Sequence, residues 1–342
     1  MNLKEYPPRA LEAIEVCGDH WLNSDPLPEA ATGGEVALLL FWDFACSASL
    51  YALQYVREWH SRYRPCGLVV VGIHTPKFAF GSERDAVWQA VRRLDVEFPV
   101  VMDNGYRLWS HYGNTVWPTL VLVDREGFVR CQLDGGGGYI RFEREIRALL
   151  SGASVPEELP ESMTPLRQAD MPGVACYKAS PELFAGYQRG SVGNVEGQIP
   201  ESTSRYEDPG IYVNGRFYLE GAWLCTRDTV LNRAEAGIPC RLILPYAALE
   251  VNAVLQSEDR PPVELIVQQD DRFLTEENRG GEVRIKPDGT SVVVVSEARL
   301  YNIVRNREFG AHVLRLGARD NGLAVYSFTF VSDIISQSIS KN

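Results

Sequence analysis

The sequence predicts two folded units in tandem: an α/β unit with a mixed sheet over residues 1–150, and an all-β antiparallel sandwich over residues 171–342. Three observations carry this. Val36–Trp42 and Leu68–Ile73 are continuous apolar runs, as strands covered on both faces require, and helical patterns follow each of them. Beyond about residue 210 the pattern changes to short alternating runs, separated by turn pairs such as Asn214-Gly215 and Asp288-Gly289. Between the two patterns, residues 151–170 are rich in Pro, Glu and Ser without periodicity and read as a linker. A chain of 342 residues suits two domains.

In order along the chain, residues 1–35 show a short helical pattern from Leu11 to Val16 and turn signals at Asp25-Pro26 and Pro28. A strand at Val36–Trp42 leads into a helix from Ser49 to about His60, with Leu50, Leu53, Val56 and Trp59 on one face. Arg64-Pro-Cys-Gly67 stops that helix. A second buried strand, Leu68–Ile73, opens into the loop His74-Thr-Pro-Lys-Phe-Ala-Phe80. A helix follows from Ser82, the expected N-cap, to Leu94, with Asp85 in its first turn. Phe98–Met102 is a short strand, and Tyr106–Tyr112 a short helix ended by Gly113. Val116–Asp124 and Phe128–Leu133 form a hairpin around Arg125-Glu126-Gly127, and Ile140–Leu150 is a last amphipathic helix. In the second unit the expected strands include Ile211–Val213, Arg216–Leu219, Arg241–Leu244, Ala248–Leu255, Val263–Val267, Glu282–Ile285, Ser291–Val295, His312–Leu316 and Leu323–Phe330.

Composition excludes several classes. Hydrophobic residues make up 45% and charged residues 23%, as in a packed globular protein. The net charge of −11 argues against nucleic acid or an anionic membrane as partner. No apolar run is long enough to span a bilayer, and the N-terminus lacks the apolar core of a secretion signal, so a cytoplasmic protein is expected. The seven cysteines are scattered and form no CxxC, so no zinc knuckle can be written and no metal or cofactor is expected.

One cysteine stands apart. Cys46 lies where the first buried strand turns into a helix, after Phe41-Trp42. A thiol there faces unpaired backbone N–H groups and the positive end of the helix dipole, which predicts a lowered pKa and raised reactivity. Asp43 reads as a surface loop acid, with a base for Cys46 as the other reading. Ser49 reads either as a hydrogen-bond donor to the sulfur or as a helix cap. His74 reads as fixing its loop rather than reacting. Cys176 is the better placed of the other thiols to reach over as a resolving group. In the second unit Tyr212, Phe217, Tyr218, Trp223 and Tyr246 are aromatics for a sugar to stack on, or core residues.

These residues resemble a known family. Trp21-Leu-Asn-Ser, Phe41-Trp42 with Cys46, Val69–Phe80, Met102-Asp-Asn-Gly-Tyr106 and Trp117-Pro118 are similar to the redox domain of DipZ-type proteins, a thioredoxin-like branch near the TlpA-type disulfide reductases. Pro245–Leu255, Glu297–Val304 and Ala324–Phe330 resemble the carbohydrate-binding-like, jelly-roll-like sandwich that follows it. The resemblance implies a thioredoxin fold, with Pro118 as a cis proline beside the active site and Trp117 presenting its backbone to an extended substrate. It implies Cys46, Ser49 and Pro118 as the catalytic group, and Trp42, Phe44, Trp117, Thr119 and His74 on the substrate side.

The departures from the family pattern set the chemistry. Cys46-Ser-Ala-Ser49 replaces Cys-x-x-Cys, so the resolving thiol is a hydroxyl. Leu40 stands where the family carries a buried carboxylate. The expectation is a monothiol protein acting through mixed disulfides at Cys46, in exchange, isomerisation or deglutathionylation, with protein or small-thiol disulfides such as those of glutathione as substrates. The alternative is a catalytically degenerate scaffold whose sandwich binds a protein or carbohydrate partner.

Overall fold

The computed structural model describes residues 20–25, 34–151, 159–234, 240–258, 261–318 and 320–335. The expected helix at Leu11–Val16, the turn at Pro26–Pro28 and Cys17 lie outside them. The chain divides into two compact units, residues 1–174 and 175–342. The first has the thioredoxin-like α/β architecture and the second is a β-sandwich.

In the first unit the strands are β1 (His20–Leu22), β2 (Val36–Trp42), β3 (Leu68–His74), β4 (Val100–Met102), β5 (Thr119–Val123) and β6 (Val129–Asp134). The helices are α1 (Ser47–Tyr63), α2 (Arg84–Arg93), α3 (Arg107–His111) and α4 (Tyr139–Ser151). The sheet runs β1-β4-β3-β2-β5-β6. β2 pairs in parallel with β3, and β3 with β4; the remaining pairings are antiparallel. Every residue of β2 is buried, because the central strand is packed on both faces. β3 and its neighbours approach closely at Gly72, where a Cβ would meet the rings of Phe98 at 3.0 Å and Trp42 at 3.1 Å.

Helix boundaries follow local chemistry. α1 begins two residues earlier than expected, with Cys46 itself in the N-cap position in an extended conformation. Its buried residues Leu53, Val56, Trp59, His60 and Tyr63 recur at helical spacing. It ends through Arg64–Cys66 at Gly67, which takes the left-handed conformation (φ 91°). α2 has Glu83, not Ser82, at its N-cap position, since Ala79–Ser82 form a separate short turn of their own. β1, unforeseen in the sequence, adds an edge to β4 through Trp21↔Val101.

Part of the expected linker is structured. Met163 N–H donates to the Glu143 carboxylate (2.9 Å), and Leu166 N–H to Tyr55 Oη (2.9 Å). Tyr55 Oη in turn donates to Asp170 (2.7 Å), which holds Arg167 through two hydrogen bonds (2.8 and 2.9 Å). Arg167 lies over the Tyr51 ring at 4.1 Å. Residues 160–170 are therefore strapped along α1 and α4 rather than free between domains.

The second unit consists of β7 (Leu183–Phe184), β8 (Ser202–Tyr206), β9 (Tyr218–Cys225), β10 (Val230–Asn232), β11 (Cys240–Ser257), β12 (Val263–Gln269), β13 (Arg272–Phe273), β14 (Val283–Ile285), β15 (Ser291–Val295), β16 (Arg299–Ala318) and β17 (Leu323–Val331). Its strand pairings are antiparallel. The two strands expected over 241–255 are one, β11. It pairs with β16 along most of one edge and, on the other, first with β9 and then with β17. Pro245 sits between those two partners, where no ladder donor is required. Ile211–Val213 is not a strand; Ile211 and Val213 are exposed. Phe217, Tyr218, Trp223 and Tyr246 are core residues. They offer no face to a sugar, and Tyr212 is already held by Asp208 (2.8 Å) and Arg315 (3.2 Å). Among the described residues no helix is long and apolar enough to cross a membrane.

Candidate functional site

The sheet register gathers the site at one end. Trp42 pairs with His74, so the Cys46 turn and the 75–81 loop leave adjacent strands side by side. Phe41 pairs with Thr119, which brings in Trp117-Pro118, and Thr119 pairs with Asp134, which brings in Gly135–Gly138. Gly135 N–H closes this rim by donating to Pro118 O (2.8 Å). The loop at the carboxyl ends of the two parallel strands is where open α/β sheets place their chemistry.

Cys46 heads α1. Its N–H donates to Asp43 O (3.1 Å) and its carbonyl accepts the Leu50 N–H (3.0 Å). The thiol lies 3.9 Å from Trp117 O, to which it donates. The Trp117–Pro118 peptide bond is cis. Ser49 is buried; its Oγ accepts the Asp43 N–H (3.3 Å), and its presence favours the Cys46 thiolate. No side chain caps α1, so Ser49 is not its cap.

The thiol pKa is raised, contrary to the expectation from the helix terminus. Burial is the dominant cause, since Cys46 is only 5% exposed and its thiolate would lose most of its hydration. The Lys77 ammonium and the backbone and hydroxyl donors of Ser49 favour the thiolate, and the Asp43 carboxylate opposes it. Helix N–H groups help here, but they do not outweigh removal from water.

Asp43 is the second correction: it is fully buried. Its carboxylate accepts the N–H groups of Ala45 (2.6 Å) and Lys77 (2.8 Å). His74 ends β3 instead of lying in a loop, and is likewise fully buried, with Nε2 3.7 Å from the Asp43 carboxylate. It stacks on Phe44 at 5.3 Å and meets Trp42 edge-on at 5.4 Å. Burial pushes its pKa down to about 3, so its ring is neutral. Trp42, Phe44, His74 and Thr119 are all at most 2% exposed and form the floor beneath Cys46. Of the residues expected on the substrate side, Trp117 alone keeps partial exposure. It is held by Trp109 (centroids 4.2 Å) and by its Nε1 donating to Thr75 O (2.9 Å).

Sequence reasoning passed over Lys77 and Tyr139. Tyr139 is buried after the glycine rim, stacks on Tyr55 at 4.1 Å and feels the charge of Cys46. A tyrosine directly after four glycines was the available signal. Cys66, Cys131, Cys176, Cys225 and Cys240 are free thiols, and Cys176 is exposed.

A buried strand turning at a cysteine into a helix, opposite a cis proline, defines a thioredoxin-like protein. Comparison narrows the class. Residues 180–330 match the family model described as a thioredoxin-like C-terminal domain. Protein DipZ of Mycobacterium bovis is 31% identical over 208 residues, which cover 59% of this chain and 29% of DipZ. The thiol-disulfide oxidoreductase YkuV of Bacillus subtilis is 24% identical over 131 residues, covering 38% of this chain and 88% of YkuV. Among solved structures, a thiol-disulfide isomerase from Corynebacterium glutamicum is 19% identical with a TM-score of 0.38, over 40% of this chain and 94% of its own. The chain is thus similar to DipZ-type proteins over part of its length, and it spans less than a third of the DipZ relatives' length. YkuV and ResA, both named as thiol-disulfide oxidoreductases, are among the relatives that this chain matches.

Proposed function

We propose that this chain carries out thiol–disulfide exchange through Cys46 alone, with an external thiol as the resolving group. The observation that supports this best is Ser49: it stands buried at the resolving position, favours the Cys46 thiolate and has no thiol to give. In the first step the Cys46 thiolate attacks one sulfur of a substrate disulfide. A Cys46 mixed disulfide forms and the other substrate thiolate leaves. In the second step a free thiol attacks the substrate sulfur of that mixed disulfide. Cys46 leaves as thiolate, and the substrate carries a new disulfide to the incoming thiol. A small thiol such as glutathione fits the second role, and the thiol pool of a cytoplasmic setting would supply it. Isomerisation and deglutathionylation are both covered by this sequence of steps.

The burial of Cys46 favours a second reading: a degenerate redox domain that serves as a scaffold, with the sandwich holding a protein partner. One experiment separates them. Turnover of a glutathionylated peptide by excess glutathione is measured with wild type and with Cys46→Ala. Exchange through Cys46 gives acceleration in wild type that disappears in the variant. Equal rates in both would favour the scaffold.

A further inference from the structure

Asp43 does more than fill its position. One residue touches each part of the Cys46 surroundings. Its carbonyl accepts the Cys46 N–H (3.1 Å) and its N–H donates to Ser49 Oγ (3.3 Å). One carboxylate oxygen accepts the Ala45 N–H inside the turn (2.6 Å), and the other accepts the Lys77 N–H from the facing loop (2.8 Å). The loop closes over it so tightly that a Cβ on Gly81 would lie 3.1 Å from Pro76 and 3.3 Å from the carboxylate. The same loop carries the ammonium that favours a thiolate at Cys46. The carboxylate therefore anchors the backbone of the loop from which that lysine extends.

We propose that Asp43 is the positioning residue of the site: it ties the Cys46 turn to the Lys77 loop, and its charge opposes loss of the Cys46 proton. The charged and titratable groups acting on the thiol are then Lys77, which favours ionisation, Asp43, which opposes it, and Tyr139, whose phenol is coupled to it. His74, against the carboxylate, is neutral and adds no charge. The balance is the reverse of a site built for a permanently ionised cysteine. Cys46 rests as the thiol, and a substrate that brings a cation to it tips it toward the thiolate. The proposal rests on Cys46 being the reacting thiol, but its test needs no disulfide substrate.

The test is the rate of Cys46 alkylation by iodoacetamide against pH in the full chain, read at the Cys46 peptide by mass spectrometry. Asp43→Asn removes the charge and keeps the shape. The expected result is a profile displaced to lower pH, with alkylation at pH 7 faster by about threefold to tenfold. Lys77→Met is expected to shift the profile the other way, and the double variant to fall between the two single ones. A turn that had merely loosened would instead stay fast in the double variant. Asp43→Ser, whose hydroxyl still accepts the Ala45 N–H, serves as the second uncharged variant. An unchanged or upward-shifted profile in the folded variants would overturn the proposal. So would failure of both to fold, since the carboxylate would then be holding the fold rather than tuning the thiol.

Discussion

Two buried cysteines, one in each unit, teach different lessons about what burial does to a thiol. Cys46 and Cys225 are both under 6% exposed, and burial raises the pKa of both. Around Cys225 the neighbours are the sandwich core and two uncharged polar groups, Tyr206 Oη at 3.3 Å and the Gln198 side chain. Around Cys46 they are a helix start, a serine hydroxyl, a lysine and a carboxylate, gathered from separate loops at the end of a sheet. Burial makes the first cysteine a small apolar residue. At Cys46 the charge of the sulfur is instead contested by charged neighbours. What separates them is the set of groups that can respond when the sulfur ionises.

The largest effect that could break this contrast is on activity. Cys46→Ala should bring peptide–glutathione turnover down to the uncatalysed rate, whereas Cys225→Ala should leave it unchanged. Loss of turnover in Cys225→Ala with the fold intact would erase the distinction. Stability should respond in the opposite order. Cys225→Ala opens a void in the sandwich and should cost about 1–2 kcal/mol in urea unfolding, more than Cys46→Ala at its loop end.

The pH dependence of stability sharpens the same contrast. Both thiols have folded pKa values above their unfolded ones. Their contribution is complete below the unfolded thiol value and is lost as pH rises past it, so an alkaline limb belongs to both units. On the acid side His74 acts in the first unit. Its folded value of about 3 lies below the unfolded value. Its contribution is present above about pH 6.5 and is lost as pH falls toward the folded value. Urea midpoints measured from pH 7 to 4 should therefore fall, and His74→Leu should flatten that fall. A wild-type midpoint constant over this range would show that His74 is not held neutral.

Smaller effects come from single hydrogen bonds. Tyr55→Phe removes the phenol that receives Leu166 N–H and binds Asp170, and should destabilise the first unit by about 1–2 kcal/mol. Ser49→Ala removes a donor to the sulfur and should slow Cys46 alkylation at pH 7 by a factor of about two to five. Accelerated alkylation in Ser49→Ala would mean that the serine shields the sulfur and does not stabilise its charge.

Much of this was legible in the chain. The continuous apolar runs at Val36–Trp42 and Leu68–Ile73, and the helix between them, fix the central layer through local pattern. The cis bond at Trp117–Pro118 follows from the family resemblance, not from periodicity. The misses are tertiary. Asp43 is buried only because residues 75–81 fold back over it, and nothing within its own turn announces that. Arg241–Leu255 reads as two strands around Pro245 because a proline forbids a ladder donor; here the strand changes partner at that residue and no donor is needed. Ile211–Val213 alternates like a strand but finds no partner strand, and its apolar side chains remain exposed. The strap at 160–170 has no periodicity because its order comes from side chains on α1 and α4.

The most direct test of exchange through Cys46 is to trap the mixed disulfide. During turnover of a glutathionylated peptide the reaction is quenched with acid, and each cysteine is mapped by mass spectrometry. The expected result is glutathione or peptide joined to Cys46, removed when free thiol is added before the quench. Cys46 found free throughout turnover, with the adduct on exposed Cys176 instead, would contradict the account.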